Sequence, residues 1–434
     1  MFAFNSSLTR RAKNDSLVVM NIYGVVILST VLLGFLLELI SSILNLRALN
    51  PDLPDEFDGV YDAEKYRKSQ EYTRIRTRFG IIADTFSLVV LLAFWFSGGF
   101  GTVDGWLREM ELGNIWTGLL YILGLLLAKS ALGLPFRIYS TFVIETRFGF
   151  NKTTVGTFIA DMIKGLVLSM LLGGPLIAVV LFFLEEAGAA GWLYCWAITV
   201  AFTLFLQFVF PTWIMPLFNK FTPIEEGELK HAIVHYAESV GFPLKNIFVI
   251  DGSRRSNKSN AFFAGLGSNK RLALYDTLIA QQSVSEIVAV VAHEVGHFHR
   301  KHVLKGLILS IVHSGLLFYL LSLFIAHAPL FEAFYVQDVS VYAGLVFFGM
   351  LFSPIELVLS ILLQVLSRKH EFEADHYAVT TTESAESMIS ALKKLSVHNL
   401  VNLTPHPFHV FLSYSHPPML ERIKAIRTTV NSGG

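Results

Sequence analysis

Seven long apolar runs constrain this chain more than any other feature. They are Leu17–Leu46, Ile81–Phe100, Ile115–Leu134, Lys164–Leu184, Trp192–Trp213, Val303–Ala326 and Tyr342–Leu366. Each is near or above the ~20 residues a helix needs to cross a hydrocarbon layer ~30 Å thick. The first run is too long for a signal-peptide core and is not followed by a small-residue cleavage site, so it is expected to remain in the mature protein. Short polar stretches join most of the runs, and no internal repeat is apparent. The composition agrees. Charged residues make up 16% of the chain, where a soluble domain carries about 25%. Hydrophobic residues reach 53%, with 37 phenylalanines, more apolar surface than a soluble globule of this length can hide.

The expected class is therefore a mainly α, multi-pass membrane protein with seven transmembrane helices, and the lipid bilayer is its first partner. The 34 basic and 34 acidic residues cancel, leaving no global field to draw nucleic acid. A lone Cys195 excludes an intrachain disulfide or a thiolate metal cluster, and is read as a small apolar residue.

Two segments have soluble character, Phe218–His302 and Ser367–Gly434. The chain accordingly divides into 1–217 (five spans with loops), 218–302, 303–366 (two spans) and 367–434. An odd number of crossings puts both soluble segments on one face. Lys and Arg fall on that face or at its edge, apart from Arg10, Arg11, Lys13 and Arg108 on the other side and Lys129 inside the third run. The excess of positive charge assigns that face to the cytoplasm.

The first soluble segment carries His293-Glu294-Val295-Gly296-His297. Ser283 and Glu286 read as a capping box, followed without a breaker by Ile287–Ala292, so the motif lies on a helix. There His293 and His297 are one turn apart on one face, and two imidazoles can converge on one zinc ion. Glu294, rotated by about 100°, stands beside the metal, where it can take a proton from the attacking water. By the same rotation His299 and His302 point away and are assigned to solvent or an interface. A catalytic zinc takes three protein ligands. The third is sought in the second segment, where Glu371 and Asp375 share a helix face. Glu371 is the chosen ligand and Asp375 the acceptor that orients a ligand histidine. Glu373 is the rival carboxylate, and His370 and His376 are read as surface residues. A charged cluster that only anchors the seventh helix is the bland alternative.

These two motifs, together with Tyr414-Ser415-His416-Pro417-Pro418, resemble the type I CaaX prenyl proteases, integral-membrane zinc endopeptidases. The likeness extends to Phe142-Val143-Ile144-Glu145, Gly149-Phe150-Asn151, Asp251-Gly252-Ser253 and Ser259-Asn260-Ala261-Phe262-Phe263, and to the number of crossings. It implies helices around a water-filled chamber, closed at one end by a gluzincin-type zinc protease domain with a small β-sheet. It also implies that His416 stabilises the oxyanion with Arg422 accompanying it, and that Asn260 contacts substrate main chain. Asn246–Asp251, Asn260–Ala264 and Arg271–Tyr275 read independently as short strands, and an exposed edge strand can hold a peptide by backbone hydrogen bonds. No serine lies in a Gly-x-Ser-x-Gly elbow, consistent with water as the nucleophile. Glu38, Asp84, Lys129, His313 and Glu356, costly in lipid, are expected to face protein or water, or to snorkel from a helix end.

The expected activity is thus zinc-dependent endoproteolysis, with one zinc per chain, removing the C-terminal tripeptide from prenylated CaaX proteins or peptides. A general quality-control metalloprotease indifferent to prenylation is the alternative, and a non-catalytic zinc-holding scaffold the third possibility. A monomer is expected, in the ER membrane or the bacterial inner membrane, with no evident C-terminal ER-retrieval signal to decide between the two.

Overall fold

The computed structural model describes residues 20–264 and 270–432. The first five runs form long helices: α1 (Ile22–Arg47), α2 (Ala63–Phe96), α3 (Asn114–Glu145), α4 (Val155–Glu186) and α5 (Gly188–Phe218). The beginning of the first run, residues 17–19, and the basic residues Arg10, Arg11 and Lys13 lie outside the described residues. π-helical turns interrupt α3 at Ser140–Glu145, α4 at Ser169–Gly173 and α5 at Phe210–Ile214.

The soluble segment that follows holds a four-stranded sheet. Its strands are β1 (Phe221–Pro223), β2 (Leu244–Ile250), β3 (Ala261–Ala264) and β4 (Lys270–Tyr275), with α6 (Glu228–Ser239) between the first two. The order is β1-β2-β4-β3, with β2 and β4 parallel and the outer pairs antiparallel. All three expected strands are present, to within two residues at each end. The added β1 is too short to show an alternating pattern. Edge strand β3 begins just after Asn260.

The motif helix α7 (Val284–His299) leads into the sixth span, α8 (His302–Phe324). The seventh run is a bent pair, α9 (Val341–Leu351) and α10 (Ser353–Thr382), at 52°. Pro354 explains the bend, because it lacks an amide proton and its ring crowds the preceding turn. Among the described residues there are therefore six unbroken spans, and a seventh if the bent pair crosses as one. α10 runs on without a break beyond the end of the apolar run and carries Glu371 and Asp375. Three helices complete the second soluble segment: α11 (Ala385–His398), α12 (Pro407–Ser413) and α13 (Met419–Ser432).

Separate cores hold the spans and the protease region. Among the spans, Trp95, Phe334 and Phe347 stack in series, with ring centroids 4.8 Å and 4.1 Å apart. In the protease region, Ile287, Val291, Ala292 and Val295 of α7 pack against Leu272 and Leu274 of the sheet and Tyr377 and Ala378 of α10. At most 17% of the apolar stretch of any unbroken span is buried, and Glu38 and Asp84 line an interior cavity of about 800 Å³. His313 and Glu356 come within 3.0 Å of each other across α8 and α10. Lys129 is exposed.

The N-terminus of α7 is fixed from both soluble segments. Glu286 closes the capping box with Ser283 and accepts hydrogen bonds from Ser390 (2.5 Å) and Lys394 (2.7 Å) of α11. Burial alone would raise its pKa, but Lys394 and Ser390 outweigh it and hold the carboxyl below its ordinary range. A carboxyl depressed in the folded state stabilises above its unfolded pKa, and that stabilisation is lost as pH falls. Glu286→Gln should therefore lower the thermal midpoint of the detergent-solubilised protein by a few degrees at pH 7. The gap to wild type should narrow as pH is lowered toward 4; a gap independent of pH would contradict this role.

Candidate metal centre

The buried face of α7 turns His293 and His297 toward α10. Their Nε2 atoms are 3.1 Å apart. Glu371 completes the triangle, with Oε1 3.3 Å from His297 Nε2 and Oε2 3.5 Å from His293 Nε2. An ion held tetrahedrally at 2.0–2.2 Å from each donor requires donor separations of roughly 3.3–3.6 Å. The two imidazole nitrogens and the Glu371 carboxylate thus stand close to the corners of one tetrahedral face. Glu371 is buried, and its Oε2 has no hydrogen-bond partner. An orphaned carboxylate oxygen in the interior fits a cation, since burying it unpaired is costly. These residues fit a metal ion with a fourth position open.

Behind the donors is a bonded support. Asp375 Oδ1 lies 2.8 Å from His293 Nδ1, which fixes the proton there and leaves Nε2 free for metal. Arg422, also buried, donates to both oxygens of Asp375, Nε at 2.8 Å and Nη2 at 2.6 Å. Its Nη1 is 3.5 Å from Glu371 Oε2. Burial disfavours the charged ring of His293, but the hydrogen bond to Asp375 and the nearby Glu371 carboxylate outweigh it and lift the imidazole to about 9. Burial would raise Asp375 too, yet the Arg422 guanidinium holds it at about 2. Glu371 is likewise carried below the usual range by its histidines, against burial.

Glu294 faces the cavity of about 450 Å³ that contains the donors, and burial raises its pKa. That shift is in the direction suited to moving a proton near neutrality. His416 stands at the mouth, with its side chain 62% exposed and Nε2 3.5 Å from Glu371 Oε1. Asn260 lines the same cavity and, through its carbonyl, accepts from the Tyr275 amide. The residues singled out in the sequence are thus brought together: His293, His297, Glu371, Glu294, His416, Arg422 and Asn260 line one cavity, and Asp375 lies directly behind it.

Comparison with known proteins agrees with this picture. A family model described as CAAX prenyl protease N-terminal, five membrane helices, matches residues 42–220, and the Peptidase family M48 model matches residues 223–430. A CAAX prenyl protease 1 homolog of Oryza sativa subsp. japonica is 38% identical over 92% of this chain and 96% of its own. The CAAX prenyl protease 1 of Saccharomyces cerevisiae is 35% identical over 86% of this chain and 88% of its own. The crystal structure of S. mikatae Ste24p superposes with a TM-score of 0.88 at 32% identity, covering 93% of this chain and 99% of that one. The chain belongs to the CAAX prenyl protease family. It is a multi-pass membrane metalloendopeptidase, and the histidine–glutamate cavity is where that chemistry would be housed.

One residue beside the cavity escaped the sequence. His302 was assigned to solvent or an interface, but it is buried against His297. The projection of 100° per residue failed because α7 ends at His299 and Lys301 adopts a left-handed conformation, φ 58°. The chain turns there, and α8 starts with His302 directed back at the centre. The two Nδ1 atoms are 3.1 Å apart, and His302 Nε2 is 3.0 Å from Glu373 Oε2. If His297 offers Nε2 to metal, its Nδ1 carries the proton and donates to His302, whose own proton then sits on Nε2 and goes to Glu373. Glu373 is therefore not a ligand but the end of this chain. His370, read as a surface residue, is half-buried and stacks on His302 at 3.9 Å, whereas His376 is exposed as expected. His299 lies against Tyr377.

Supports of this kind are worth about 10–100-fold in metal affinity. His302→Phe, which keeps the stacking but removes the acceptor, should weaken metal retention against a competing chelator by that factor. His302→Asn, whose Oδ1 can stand in for Nδ1, should recover most of it. Equal retention in both variants would contradict the geometry.

Proposed function

We propose that this protein is a zinc-dependent endopeptidase that removes the C-terminal tripeptide from prenylated CaaX proteins, with its site on the cytoplasmic face. The observation that carries the proposal is the triangle of His293, His297 and Glu371, at 3.1–3.5 Å, with the half-buried carboxylate of Glu294 in the same cavity. Two imidazoles and one carboxylate with an open fourth position form the donor set of a catalytic zinc site. Zinc there supplies a Lewis acid for the scissile carbonyl and makes water at the open position more acidic.

The protein's own groups do the rest. Glu294 takes the proton of the attacking water and delivers it to the leaving amine, a task suited to a carboxyl raised by burial. His416 donates to the developing oxyanion. Asp375 holds the His293 ring, and Arg422 holds Asp375 while adding positive charge beside Glu371. The edge of β3, entered through Asn260, offers backbone groups to the extended substrate. A purely structural site has no use for a carboxylate at Glu294, which argues against a scaffold. The relatives' names favour CaaX processing over general quality control.

Glu294→Gln should retain full metal content and lose cleavage by at least about a thousandfold, since it removes the base placed for the step. Retained cleavage would rule out this mechanism. Substrate class is tested by comparing a farnesylated CaaX peptide with its unprenylated twin at equal concentration. The prenylated peptide should be cut strongly in preference; equal rates would favour the quality-control reading.

A further inference from the structure

The cavity at the metal donors does not end there. It shares Ser259, Asn260, Asn399 and Val401 with the larger cavity of about 800 Å³ that reaches between α1 and α2. On the wall of that larger cavity stands Arg76 of α2. Its Nη1 donates to the Tyr72 hydroxyl at 3.3 Å, and its guanidinium lies over the Tyr72 ring, 5.6 Å from the centroid. Tyr72 in turn donates to Glu145 Oε1 at 2.6 Å and accepts from Lys258 Nζ at 2.8 Å. The neighbouring cation, Lys258, is paired with Glu145 at 3.0 Å. Arg76 makes no such pair: among the described residues no carboxylate comes within ion-pair distance of it. The cavity's acids are deeper, with Asp84 two turns further along α2, about 12 Å by helical rise.

Arg76 is therefore an exposed, unneutralised cation on the wall of an open cavity that shares lining residues with the metal centre. Tyr72 holds one of its nitrogens and leaves the remaining donors of a planar fork for an anion, a shape matched to carboxylate. Its position matches a length set by the chemistry. A tripeptide extends over about 10 Å. Lys258, hydrogen-bonded to the same Tyr72 as Arg76, is two residues and about 7 Å of extended chain from Asn260. A peptide lying along β3 with its scissile bond at the metal donors thus has its C-terminus within reach of this wall.

We propose that Arg76 anchors the terminal α-carboxylate of the substrate and makes the enzyme selective for a free C-terminus. Removal of a C-terminal tripeptide, on which this inference rests, is the reaction that requires such a group. Arg76 touches no group at the metal centre, and its role is specificity rather than bond breaking.

The test uses the full-length protein in detergent or vesicles and two farnesylated peptides, one ending in a free acid and one in a carboxamide. The wild type should cut the acid with kcat/KM about ten- to a hundredfold above the amide, the range expected for a hydrogen bond to a charged group. Arg76→Gln should lose that factor on the acid and leave the amide rate unchanged, so the amide also reports intact folding. Arg76→Lys should keep part of the discrimination. If the wild type cuts both peptides equally, tripeptide removal stands and the carboxylate anchor is overturned. Equal loss on both peptides in Arg76→Gln overturns it as well. If the wild type cuts neither, tripeptide removal itself fails, and the anchor with it.

Discussion

A methyl group on Gly296 would stand 3.1 Å from the backbone of Ala374, and 3.2 Å from Cβ of Tyr377. This close approach of α7 and α10 is the contact on which the site depends. It brings Glu371 opposite His293 and His297, and Asp375 against the His293 ring. Neither helix could hold the site alone, because α7 lacks a third ligand and α10 lacks the imidazoles. The glycine of the motif is therefore a packing element: with no side chain, it lets another backbone enter.

That contact in turn constrains the whole chain. α7 and the Glu371–Asp375 end of α10 are separated by the sixth span and the bent seventh, and they can pack only if both emerge on the same side of the bilayer. The apolar runs meet this requirement by bringing the chain back to one face. The electrostatics follow from the same packing. Once Glu371, Asp375 and Arg422 are buried together, each charge needs the others, because isolated charges in the interior are costly. The result is a wall of paired ionic groups around one cavity, which Glu294 and His416 also line.

Much of this was legible in the sequence, because regular periodicity carries it. The capping box at Ser283 and Glu286, the helix spacing of His293 and His297, and the i, i+4 pair of Glu371 and Asp375 are local patterns that a helix turns directly into geometry. The spans were legible through their length. Features set by a break in periodicity were not. His302 was misplaced because Lys301 turns the chain, and with it the role of Glu373 was lost, since that carboxylate matters only through His302. The bend at Phe352 was signalled by Pro354 but hidden by a continuous apolar run. Arg76 could not be singled out either, because an arginine among several in a polar stretch acquires meaning only when the fold sets it on a cavity wall beside the paired Lys258.

The central claim is that two imidazoles and one carboxylate, brought from distant parts of the chain, hold a zinc ion. X-ray absorption at the zinc edge on the purified protein tests it most directly. The account predicts about one zinc per chain, surrounded by two imidazole nitrogens and oxygen donors at roughly 2.0–2.2 Å in four-coordinate geometry. A sulfur shell near 2.3 Å, six-coordinate oxygen, or protein active without zinc would contradict it.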